Sequence, residues 1–157
     1  MLENFPDRVK EFIACATKNQ LEMLLVGGGA VNFYGYQRHS ADIDFWVNST
    51  SENLQRLLKT LQDLGYNIQS LPQTIFEGEQ NISLKISPVF ELELITRFNS
   101  GKTFGESFAN SEVVEKEGLR YHVLSFDDLI LSKIISKRAK DKLDVEELHR
   151  IRTQRKK

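Results

Sequence analysis

The segment from Leu24 to Val47 constrains this chain more than any other. Leu24-Leu25-Val26 runs into Gly27-Gly28-Gly29, a helix-sized stretch follows, and Asp42-Ile43-Asp44 then heads the apolar run Phe45-Trp46-Val47. A β-branched and aromatic run of this kind reads as a strand. Along a strand, residues two apart share a face. Asp42 and Asp44 therefore project together, while Ile43, Phe45 and Val47 turn toward a core. Adjacent like charges repel, and a fold tolerates them mainly with a cation between them. The pair reads as a candidate metal site; the competing reading is an ordinary solvated Asp-x-Asp turn.

The glycines bear on the same choice. A strand that passes through glycine into a helix lets bare backbone N–H groups and the helix N-terminus approach phosphate. A plain flexible turn is the alternative. With Gly35 and Arg38 in the spacer, the pattern apolar-Gly-Gly followed by Asp-Ile-Asp and apolar residues resembles the nucleotidyltransferase superfamily related to DNA polymerase beta. The resemblance implies a nucleoside triphosphate bound through Gly27 and Gly28. It also implies two magnesium ions, with manganese as the alternative, held on three carboxylates of which Asp42 and Asp44 are the first two. The implied reaction moves a nucleoside monophosphate to a hydroxyl acceptor and releases pyrophosphate.

A third carboxylate is expected on a neighbouring strand. Phe90-Glu91-Leu92-Glu93-Leu94-Ile95-Thr96 alternates, with Leu92 and Leu94 on one face and Glu91, Glu93 and Ile95 on the other. Glu93 is the candidate because Leu92-Glu93-Leu94-Ile95-Thr96-Arg97 resembles a Val-Asp-Leu-Leu-Thr-Arg segment of bacterial members. Glu91 is the fallback on the same face, and an exposed strand face with ordinary glutamates is the bland reading. Glutamate stands here where the family has aspartate, and its extra methylene moves the oxygen by about an ångström.

Near the C-terminus, Ser125 caps a helix with Asp127 and Asp128 in its first turn. Phe126, Leu129, Ile130 and Ile134 form its apolar stripe. Lys133 falls inside that stripe, where a lysine either snorkels to solvent or reaches a ligand. The run from Lys133 through Arg138, Lys140, Asp141 and Asp144 to Leu148 resembles the closing segment of AbiEii-like and related minimal bacterial nucleotidyltransferases. By that resemblance Lys133 contacts phosphate, Asp141 orders the site and Arg38 belongs to the nucleotide site. For the two aspartates, pairing with Lys137, Arg138 or Lys140 is the alternative. His39, beside Arg38, has no family counterpart.

With 157 residues, the chain is expected to form one nucleotidyltransferase domain spanning 1–157, with its core at about 21–148. Net charge is −1, so no global basic field draws it to nucleic acid. From Lys133 onward, however, ten Lys or Arg face four Asp or Glu, a basic flank suited to a polyanion. The single cysteine, Cys15, excludes an intrachain disulfide and a cysteine-rich zinc site. No signal-peptide pattern or membrane-length apolar run is present, which makes the cytoplasm the expected location and a membrane no partner.

Alternating helices and strands predict an α/β (α+β) fold, a mixed β-sheet flanked by helices with further helices at the C-terminus. Helices are expected from Pro6, between Gly27 and Gly35, and from a capping box at Ser49-Thr50-Ser51-Glu52 to Gly65. Strands are expected at 22–26, 42–48, 66–69, 81–86 and 89–96, with a hairpin about Glu117-Gly118. Residues 71–79 read as loop or edge. The acceptor stays open among RNA, protein and small molecule. Two rival functions remain: a catalytically weak relative acting as a toxin–antitoxin component or binding module, and a metal-dependent glycosyltransferase, whose catalytic domains are usually longer.

Overall fold

A computed structural model describes residues 5–37, 42–88 and 90–156. Its elements in chain order are α1 (Asp7–Lys18), β1 (Met23–Val26), α2 (Gly27–Phe33), β2 (Asp42–Val47), α3 (Ser51–Asp63) and α4 (Gln73–Phe76). There follow β3 (Ile82–Ser87), β4 (Phe90–Ile95), α5 (Phe104–Ala109), β5 (Glu112–Lys116), β6 (Leu119–Val123), α6 (Phe126–Ser136) and α7 (Ala139–Lys156). The strands form one mixed sheet in the order β3-β4-β2-β1-β6-β5. The α/β expectation is met: β2 pairs antiparallel with β1 and parallel with β4, and β6 runs parallel to β1.

Alternation decides which side of the sheet is dry. Ile43, Phe45 and Val47 of β2 and Leu92 and Leu94 of β4 are buried on one face. α1 covers that face with Val9, Phe12, Ile13 and Ala16, and the Phe12 and Phe45 rings lie 5.9 Å apart. α3 adds Leu54, Leu57 and Leu61. A polar residue ties these layers together: buried Asn53 accepts from the Glu22 amide at 2.8 Å and donates to the carbonyls of Glu22 and Asn48 at 3.0 and 2.8 Å. Every bond a buried carboxamide needs at this junction is thereby supplied from backbone.

On the opposite face Trp46 follows Asp42 and Asp44 in alternation. It is covered by Phe98 and Phe104, with ring centroids 5.3 and 5.1 Å away. The aromatic cover stops there and leaves the carboxylate part of the row uncapped by those rings.

Several expectations are corrected. Residues 66–69 form no strand: the Tyr66 and Ile68 amides donate locally, to Leu61 and Tyr66, and not to a neighbouring strand. Residues 71–79 contain the short helix α4. Helix α5, which carries no long apolar stripe, went unread; its Thr103 and Glu106 form a reciprocal capping box. The cap of α3 is Thr50, whose side chain accepts from the Asn53 amide, and Glu52 instead pairs with Arg56 at 2.7 Å. On α6, Ile134 is 56% exposed while Lys133 is 6% exposed. The helix is turned so that the lysine faces α7. The Glu117-Gly118 hairpin is present, with both residues at positive φ as a tight two-residue turn requires. Among the described residues no helix is long and apolar enough to cross a membrane.

Candidate active site

Strand pairing brings the acids together. In the parallel β2–β4 ladder Asp42 stands beside Glu91 and Asp44 beside Glu93, so four carboxylates share one face in two adjacent rows. Asp42 lies at the exposed end, while Asp44 and Glu93 are half-buried. Burial pushes the Asp44 carboxyl up to about 6, and the charges of Asp42 and Glu93 add to the shift against the pull of Lys133 and Lys140. Desolvation of the charged form leads, and like charges nearby add to it.

Gly27 explains how β1 approaches this row. Its φ is +60°, and a side-chain carbon there would meet the Asp44 Oδ2 at 2.6 Å. Any other residue would both strain the turn and displace the carboxylate. The remaining glycines have other duties. Gly28 is buried, and a carbon on Gly29 would strike the Leu25 side chain at 2.8 Å. Of the glycines named for phosphate contact, Gly27 alone lines the cleft.

That cleft has a volume of about 540 Å³. Asp44 and Glu93 lie on its floor with Gly27; Lys133, Ser136, Arg138 and Asp141 wall one side, and Arg97, Phe98 and Asn99 join them. Asp42 is outside this lining, at the outer end of the row. Arg38 and His39 lie outside the described residues.

Lys133 does not snorkel to solvent. Its ammonium sits 3.0 Å from Asp141 Oδ1 and 3.0 Å from Asp144 Oδ2, both on α7 and both buried. Burial alone would raise the Asp141 carboxyl, but hydrogen bonds from Ser136, Arg138 and Lys133 outweigh it and bring it down to about 2. Arg138 Nε donates to Asp141 Oδ2 at 2.7 Å. The α6–α7 corner is thus a closed ionic network that presents one face to the cleft. Asp144, named in the sequence only as a helical neighbour of Asp141, is its second anchor. Arg97, the last residue of the segment that singled out Glu93, was also missed as a cleft residue.

A family model described as "Nucleotidyltransferase of unknown function (DUF6036)" matches residues 7–153. The chain belongs to this nucleotidyltransferase family. The description carries no AbiEii-like assignment, so that finer placement rests on the closing segment alone. Among solved structures, the nucleotidyltransferase fold of this chain is similar to the lincosamide antibiotic adenylyltransferase LnuA, determined with lincomycin bound. The TM-score is 0.58 at 15% identity, covering 94% of this chain and 98% of that one. No curated protein matches the chain.

The donor set of this family member suits a hard divalent cation, since Asp42, Asp44 and Glu93 offer carboxylate oxygens only. The close approach of Gly27 to the Asp44 carboxylate, and the rise of that carboxyl through burial and its acidic neighbours, both fit a site that takes up a cation. Among the described residues, however, no group of three acids, histidines or cysteines is already arranged to enclose an ion. Glu93 is instead held by a hydrogen bond from Ser83 Oγ.

Proposed function

We propose that this chain is a divalent-cation-dependent nucleotidyltransferase that moves a nucleoside monophosphate from a nucleoside triphosphate to a hydroxyl acceptor. One observation carries the reading: the β2–β4 register sets Asp42 and Asp44 beside Glu91 and Glu93, with Gly27 and Lys133 joining Asp44 and Glu93 around one cleft. In the proposed reaction the acceptor oxygen attacks the α-phosphorus in line. The bond from that phosphorus to the bridging oxygen breaks, and pyrophosphate leaves with its electrons. Magnesium or manganese, held by Asp42, Asp44 and Glu93, would neutralise the triphosphate and favour loss of the acceptor proton.

The protein's own share is positioning. Gly27 gives the triphosphate close access to the backbone at the start of α2. Gly28, buried behind it, shapes that turn. Lys133, fixed by Asp141 and Asp144, offers a point charge whose direction cannot wander. Arg138 keeps part of its guanidinium exposed for the outer phosphates, and Arg38 is a further phosphate contact by family resemblance. Most catalysis of phosphoryl-type transfers comes from such orientation and charge compensation.

LnuA is named for acting on a lincosamide and was determined with lincomycin bound. Its similar fold supports a small-molecule acceptor here ahead of RNA or protein. Replacing Asp44 by Asn should abolish transfer from every triphosphate while the variant stays folded. Full activity in that variant would remove the metal assignment. The binding-module reading, including a toxin–antitoxin role, draws on the absence of an assembled three-acid group among the described residues. Calorimetry with ATP, GTP, CTP and UTP plus magnesium separates the two, since no heat from any of them favours the module.

A further inference from the structure

We propose that Ser83 is a positioning residue that fixes the longer side chain of Glu93 so that one oxygen remains for a divalent cation. The inference rests on the nucleotidyltransferase reading above and assigns that site a residue on the edge strand of the sheet. β3 pairs antiparallel with β4, and Ser83 stands directly opposite Glu93 in that register. Side chains opposite one another across a strand pair have Cβ atoms about 5 Å apart, within reach of a hydroxyl and a carboxylate. Ser83 Oγ donates to Glu93 Oε1, which leaves Oε2.

The bond answers a specific problem. Relatives with aspartate at the third acidic position present an oxygen on a short arm. Glutamate must order one more side-chain torsion to do the same, and an unrestrained arm loses that freedom on binding. A hydroxyl on one oxygen fixes the torsion without adding charge. Ordering of a ligand by an outer hydrogen-bond partner is a general property of metal sites, and its loss typically weakens metal affinity by about tenfold or more.

The same strand discriminates between the two glutamates. Lys85 stands opposite Glu91 in the register, so the fallback acid faces a cation. Glu93 faces a neutral hydroxyl, which holds the carboxylate without offsetting its charge. That difference favours Glu93 as the third ligand on grounds independent of family resemblance.

The test uses the full chain and manganese as a paramagnetic stand-in for magnesium, with free ion measured by electron spin resonance in the presence of a triphosphate. Four proteins beside the native chain are required: Ser83→Ala, Ser83→Thr, Glu93→Asp and the double variant S83A/E93D. The expected result is a roughly tenfold weaker manganese affinity for S83A, recovery in S83T, and little further loss when S83A is added to E93D. Thermal midpoints of S83A and the native chain should agree closely, because Ser83 is exposed and a single cross-strand pair contributes little to folding. Native-like manganese affinity in S83A, beside clear binding by the native chain, overturns the role of Ser83 and leaves the enzyme reading standing. Equal losses from S83A with and without E93D also overturn it, since Ser83 would then act independently of Glu93. No manganese binding by the native chain overturns both readings together.

Discussion

Two clusters of charge meet at the cleft and are built on opposite terms. On the sheet, Asp42, Asp44, Glu91 and Glu93 share a face, and the Asp44 carboxyl is raised to about 6 by burial and by its acidic neighbours. At the α6–α7 corner, Lys133 lies between Asp141 and Asp144, and the Asp141 carboxyl falls to about 2 despite its burial, because Ser136, Arg138 and Lys133 bind it. In one cluster acids are crowded together on a sheet face; in the other, Lys133 and Arg138 are paired directly with Asp141 and Asp144. A carboxyl raised by burial and acidic neighbours in a cleft is a mark of a functional site. Compensated charge next to it is the frame that holds the functional groups in place.

The sharpest way to break this contrast is to remove one charge from each cluster. Asp44→Asn should reduce transfer by roughly a thousandfold or more, yet the variant should melt higher than the native chain at about pH 7 to 8 without metal. A half-buried anion repelled by two others is removed, and the amide carries no charge to repel. Lys133→Met should do the reverse to stability and lower it by about 3–5 kcal/mol, because two buried carboxylates lose their shared partner. Urea denaturation of the two variants measures both effects. A D44N protein less stable than the native chain would show that Asp44 is structural, and the contrast would fail.

Proton linkage gives a second, smaller discrimination. The folded chain holds the Asp44 proton more tightly than the unfolded chain, whose value is 3.8. Stability therefore falls as pH rises from 3.8 to about 6, by about 2 kcal/mol after allowing for partial exposure. For Asp141 the folded value lies below 3.8, so its contribution is complete above 3.8 and is lost as pH falls toward 2. Denaturation curves between about pH 3 and 7.5 should show a decline with rising pH that D44N flattens. Asp141→Asn should flatten the acid limb and leave the upper decline unchanged.

The sheet cluster was legible from strand alternation; at the corner Lys133 and Asp141 were named by resemblance, but the ion pairing of Lys133 with both Asp141 and Asp144 was not. Strand periodicity is short and rigid, so Asp42, Asp44, Glu91 and Glu93 could be assigned to one face from alternation alone, as could the buried Leu92 and Leu94 opposite. The parallel pairing of β2 with β4 is non-local, and the sequence offered only the likeness of the Glu93 segment to place it. On helices the angular error accumulates. A stripe that included Ile134 put an apolar residue in solvent, because the burial of Lys133 against Asp141 and Asp144 decides how α6 is turned. Ion pairing across a helix corner leaves no period in a sequence. Ser83 was invisible for the same reason, since its meaning depends on the residue opposite it. Helices α4 and α5 were too short to show a pattern above that of a polar loop.

The smallest effect sharpens the comparison most. Adding magnesium to the native chain should raise its thermal midpoint at about pH 7.5, because an ion that binds the folded chain alone stabilises it by RT ln(1 + [L]/Kd), about 1 kcal/mol when the ion is at about five times its dissociation constant. The gain belongs to the sheet cluster: the cation offsets both the burial of the Asp44 carboxylate and its repulsion by Asp42 and Glu93. D44N should show little of it, since the residue at that position is neutral. A variant of the other cluster that still folds, Asp144→Asn, should keep it, because the corner has its own cation in Lys133. A magnesium shift that survives in D44N and disappears in D144N would place the ion at the α6–α7 corner, and the roles of the two clusters would have to be exchanged.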